Sequence, residues 1–142
     1  MPLHSKIKYH FFIYRAILRL EILRSVKPKT SGEFLFFMHL HFAHLYEIIK
    51  AIKINDFGAF TSYGFDKIPK KDMAILKTER DLMFHFPENI DTAFPREVEI
   101  NEMNYESLKA LFVGVFKYRD EIASKTASVT EMKKRMDKPH KS

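Results

Sequence analysis

Arg80, Asp81 and His85 are the residues of this chain whose types and spacing suit chemistry. A histidine titrates near neutral pH, whereas an arginine stays charged at every working pH. Side by side they can drive attack of an RNA 2′-hydroxyl on the neighbouring phosphate. The imidazole moves the proton and the guanidinium stabilises the charge that builds on phosphorus, without a metal. Asp81 lies four positions before His85, so on a helix it shares a face with the imidazole and favours its protonated form.

The element that must position these groups reads as a helix from Pro69 to Phe86, entered through one proline and stopped by Pro87. At 100° per residue, Met73, Leu76, Arg80, Met83 and Phe84 fall in one stripe with Arg80 near its middle. A guanidinium on a core-facing stripe needs an anionic partner or a task. Two readings follow. In one, Arg80 binds phosphate; in the other, it pairs with an internal acid such as Glu47 or Glu79, and His85 merely decorates the helix end. Five positions on a straight helix turn through about 140°, so Arg80 and His85 converge on one substrate only if two copies of the helix meet about a two-fold axis. The geometry therefore predicts a homodimer.

At these residues the chain resembles the HEPN superfamily, helical proteins whose ribonuclease members carry an arginine, a polar residue and then a histidine near the end of a helix. Glu79 to Phe86 carries the pattern, with four residues between Arg80 and His85. Arg135 and His140 repeat the spacing, but Met136 follows the arginine and Pro139 would break a helix there. The resemblance implies a dimer with the motif at its interface, metal-independent RNA cleavage, and a role in toxin–antitoxin or antiphage systems. An antitoxin or nucleotidyltransferase partner goes with such a role. Phe86-Pro87 is bulkier than the small residues often found after the histidine. The rival reading is a catalytically silent HEPN-like module binding a partner or a nucleotide, or a structural bundle.

The 142 residues suffice for one domain with a real core, and 14 Phe and 6 Tyr argue for dense packing. Only 4 glycines disfavour a fold rich in tight turns. The absence of cysteine excludes disulfides and thiolate metal sites and suits a reducing cytoplasm. Arg15, Arg19 and Glu21 interrupt the first apolar run, so neither a secretory signal nor a membrane span is expected. The net charge of +6 is uneven: residues 1–29 hold seven basic side chains against Glu21, whereas residues 30–123 hold eleven against fifteen acidic ones. Basic ends on an acidic body suit a polyanion such as RNA, and equally suit solubility.

The periodicity predicts an all-α bundle of four main helices plus a short C-terminal one. Residues 1–124 form the domain and residues 125–142 a basic tail, partly helical or frayed. The first helix, Lys6 to Lys27, presents Lys8, Arg15 and Arg19 along one stripe, the candidates for RNA backbone contacts. Thr30 or Ser31 caps the second, Glu33 to Ile54, where only His39, Glu47, Lys50 and Lys53 read as wet. A loop from Asn55 to Ile68 carries Phe57, Phe60, Tyr63 and Phe65, as a plug or a stacking platform. After a connection with a short strand at Val98 to Ile100, the fourth helix begins after Asn104 as its cap, and Ser128 to Glu131 has the form of a capping box. His41, His44 and Glu47 sit at spacings that fit a metal, yet no Glu-x-x-His pair occurs, so no metal or cofactor is expected.

Overall fold

The computed structural model describes residues 3–84, 103–125 and 127–139, and it is all-α. Four long helices, α1 (Leu3–Ser25), α2 (Ser31–Asn55), α4 (Lys70–Phe84) and α5 (Tyr105–Lys125), are joined by a short α3 (Phe57–Ser62) and a 3₁₀ turn (Phe65–Lys67) and followed by α6 (Ala127–Asp137). No strand occurs among the described residues; the segment Val98 to Ile100 lies outside them. No described helix is long and apolar enough to cross a membrane.

Helix ends follow local chemistry. Thr30 caps α2 through a reciprocal box: its Oγ1 accepts from the Glu33 amide at 3.1 Å, while Glu33 Oε2 accepts from the Thr30 and Lys29 amides at 3.2 and 2.6 Å. Asn104 Oδ1 accepts from the Glu106 amide at 2.9 Å at the start of α5. Helix α6 begins at Ala127, so Ser128 lies inside it rather than capping it.

Helix α2 is the centre of the bundle and packs against both α1 and α4. Ile13, Ile17 and Leu20 of α1, Leu45, Ile48, Ile49 and Ile52 of α2, Leu76 of α4, and Leu111, Val115 and Ile122 of α5 form one continuous core. Ile22, near the end of α1, is 53% exposed, although Glu21 and Arg24 on either side of it still reach Arg119 and the Phe112 and Phe116 rings of α5. The tail expected beyond residue 125 packs as α6 on α1 and α5, with Thr130 Oγ1 donating to the Ala123 carbonyl.

The aromatic loop is more ordered than its composition suggests. Asp56 caps α3 by accepting from the Ala59 amide at 3.3 Å, and Gly64, at φ 79°, turns the chain into the 3₁₀ segment. This drives Phe60 and Phe65 into the core and leaves Phe57 59% exposed. Phe65 seats directly on α5: a Cβ placed on Gly114 would come within 2.7 Å of its ring. Beneath it, the Tyr118 hydroxyl donates to Asp56 at 3.0 Å, and burial pushes the Tyr118 and Tyr9 pKa values well above the ordinary phenol value.

Candidate functional site

Helix α4 runs back along α2, so residues late in α4 meet the middle of α2. Its buried positions are Asp72, Ile75, Leu76 and Glu79, a stripe spaced by three and four. The stripe is rotated relative to the one expected from sequence. Glu79, 1% exposed, occupies its centre, and Arg80 lies about 100° round on the flank, with its side chain 15% exposed. Glu79 contacts Nδ1 of His39 on α2. His39, expected on a wet stripe, is 8% exposed, because the buried carboxylate across the interface needs a partner.

Arg80 is held from three sides. Its Nη1 donates to Glu47 Oε1, its Nε donates to Asp81 Oδ1 at 2.6 Å, and its Cζ lies 4.9 Å from the centre of the Tyr46 ring. The bond donated to Glu47 is the largest reason its pKa is raised; partial burial opposes the shift and Asp81 adds to it. Glu47 is thus the internal acid that the pairing reading calls for. Both carboxylates are half-exposed, at 45% and 49% of the side chain, so the cluster sits at an edge of the bundle rather than sealed within it.

That edge separates two grooves on opposite faces of α2. Glu47 lines one of about 550 Å³, together with His44, Arg19, Tyr9 and Asn55. Tyr46 lines the other, of about 830 Å³, between α2, α3 and α4.

The structure brings Arg80 and Asp81 together. His85 lies outside the described residues, so the expected contact of Asp81 with the imidazole does too; Oδ1 of Asp81 is engaged by Arg80. Lys8 belongs to α1, but its side chain lies outside the described residues. Arg15 and Arg19 are exposed; Arg15 rests 5.9 Å from the Phe11 ring and Arg19 lines the first groove, on the face of α2 opposite the Tyr46 groove. His41 and His44 diverge, each engaging through Nδ1 the carbonyl four residues earlier, Phe37 and Leu40. Among the described residues no group of three or more His, Cys, Asp or Glu could hold a metal ion.

Glu79 as the buried centre of α4 escapes sequence reasoning, because a stripe drawn through Arg80 also has helical spacing. The spacing of Asp72, Ile75, Leu76 and Glu79 carries the correct register. Compared with known proteins, the sequence matches no family model, no curated protein and no solved structure.

Proposed function

We propose that this chain is a metal-independent RNA endonuclease of the HEPN type, acting as a homodimer in the cytoplasm as a toxin or antiphage component. The observation that supports the reading is the state of Arg80: a guanidinium fixed in orientation between Glu47 and Tyr46, each of which lines a groove, in the C-terminal half of α4, five residues before His85.

The proposed chemistry balances without a metal. One histidine takes the proton of the 2′-hydroxyl as its oxygen attacks phosphorus. The bond from phosphorus to the 5′-oxygen breaks, and the leaving oxygen receives a proton from the second histidine of the pair. Arg80 holds the non-bridging oxygens as negative charge builds on them.

Magnitudes decide whether the clasp on Arg80 forbids this. An exposed ion pair contributes only about 0–1 kcal/mol, and Glu47 and Asp81 are each about half exposed. Charge-assisted bonds to phosphate and to carboxylate are of the same order, about 1.5–3 kcal/mol, so phosphate competes with Glu47 and Asp81 for the guanidinium from the half-exposed side of the clasp.

The same clasp favours one second reading, the silent binding module, because two carboxylates around one arginine leave a local excess of negative charge. Cleavage of single-stranded RNA by R80A, H85A and E47Q tests both. The nuclease reading expects R80A and H85A each to lose roughly 100-fold or more in rate, with chelator without effect and E47Q as active as the parent or more so. Unchanged cleavage in both R80A and H85A, with helical content intact, removes the enzyme.

A further inference from the structure

The groove beside Tyr46 has a composition that the Arg80 motif does not explain. Its floor is apolar and aromatic, with Phe57, Phe60, Phe65 and Ile49, and its rim carries Lys50 and Lys53 from α2 and Lys70 and Lys77 from α4, against one carboxylate, Asp66. All four lysines are exposed, and none forms an ion pair among the described residues. Phe57 stacks on Phe60 with centroids 5.7 Å apart and planes at 24°, and Lys53 Nζ sits 5.6 Å from the Phe60 centroid. An exposed phenylalanine backed by a second ring and flanked by ammonium groups offers a face to an aromatic base and charge to its phosphate.

Helical spacing extends this groove to the candidate site. On α4, Lys70, Met73, Lys77 and Arg80 follow one another by three or four residues along one face. On α2 the facing positions Lys53, Ile49 and Tyr46 do the same in the opposite direction. The track from Lys70 to Arg80 spans about 15 Å at 1.5 Å per residue, and it ends at the Tyr46 ring under the guanidinium. Cations at intervals over an aromatic floor match a single strand, whose bases are unpaired and free to stack; a duplex hides them.

We infer that this groove is the RNA track of the protein, with single-stranded RNA lying along α2 and α4, a base stacked on Phe57, and phosphates paired with Lys50, Lys53, Lys70 and Lys77 on the way to Arg80. The inference rests on the ribonuclease reading for its direction, and it relocates RNA contact from the Arg15 and Arg19 stripe of α1 to the far face of α2.

Binding of a fluorescein-labelled, 2′-O-methyl oligouridylate to the full-length wild-type chain isolates the track from cleavage, because that strand has no 2′-hydroxyl to attack. F57A is expected to weaken binding roughly five- to 150-fold, the range of one base stacked on an aromatic ring. K50E/K77E is expected to weaken it further and to flatten the dependence of log K on log salt by about 1.4, at about 0.7 for each phosphate no longer neutralised. Both changes are on exposed side chains, and circular dichroism checks that helicity is kept. R15E/R19E is expected to bind as wild type. The inference is overturned if F57A and K50E/K77E bind as tightly as wild type, if a duplex competes as well as the single strand, or if anionic vesicles and not RNA occupy the groove. Binding through these residues with no cleavage of unmodified RNA supports the track and removes only the nuclease reading.

Discussion

Replacing His39 by leucine tests the tertiary contact that sets where Arg80 sits. Glu79 has 1% of its side chain exposed and His39 10%, so H39L deprives an interior carboxylate of its imidazole rather than opening a surface pair. Breaking a buried pair from one side costs about 3–5 kcal/mol. The leucine adds roughly 1–2 kcal/mol of apolar burial, which leaves a net loss of about 1–4 kcal/mol. Against a domain stability of about 5–15 kcal/mol this is a large fraction. The double variant H39L/E79L removes the buried carboxylate as well, and is expected within about 1–2 kcal/mol of wild type, or above it. Urea denaturation followed by far-ultraviolet circular dichroism reads both, and unchanged m-values show that the free energies refer to the same two states. If H39L lies within about 1 kcal/mol of wild type, or if the double variant is no more stable than H39L, the pair is not the buried charged contact described here.

Other perturbations report on the frame. G114A gains about 1 kcal/mol of helix propensity but drives a Cβ into the buried Phe65 ring, costing about 1–3 kcal/mol; the variant should lose up to about 2 kcal/mol in the same assay, with F65L relieving it. T30A removes the acceptor for the Glu33 amide and should cost about 1 kcal/mol. Alkaline stability should fall because burial raises the pKa values of Tyr9, Tyr14, Tyr63 and Tyr118. Tyr63 is pushed up to about 12 by burial and by the bond its hydroxyl donates to Glu121. A phenol whose folded pKa is raised keeps its full contribution below the unfolded value near 10, and loses it as pH climbs through the folded value. Urea midpoints should therefore drop progressively above about pH 10, and less steeply in Y118F; a flat profile would contradict the burial of these rings.

Local chemistry is legible in the sequence wherever it depends on neighbours along the chain. Thr30 and Glu33 close a capping box because both partners lie within one turn, and Asn104 opens α5 for the same reason. The all-α class follows from apolar spacing and few glycines. The aromatic segment is harder to read: its four rings announce either a plug or a platform. Only packing against Gly114 and the capping of α3 by Asp56 divide them, sending Phe60 and Phe65 inward and leaving Phe57 outside.

At the candidate site the sequence by itself determined that an arginine and an aspartate stand together on a helix, and that an acid such as Glu47 was a fitting partner. Tertiary structure alone decided the rotation of that helix. A single helix specifies which residues share a face but not which face meets its neighbour, since an apolar stripe with charged flanks can be docked through a range of angles. Docking on α2 fixed the angle by burying Glu79 against His39, which moved Arg80 from the centre of the interface to its edge. The four lysines of the groove come from two helices separated by α3 and a turn. Their convergence is a property of the packed bundle, because cations far apart in sequence become neighbours only once the apolar faces beneath them have been removed from water.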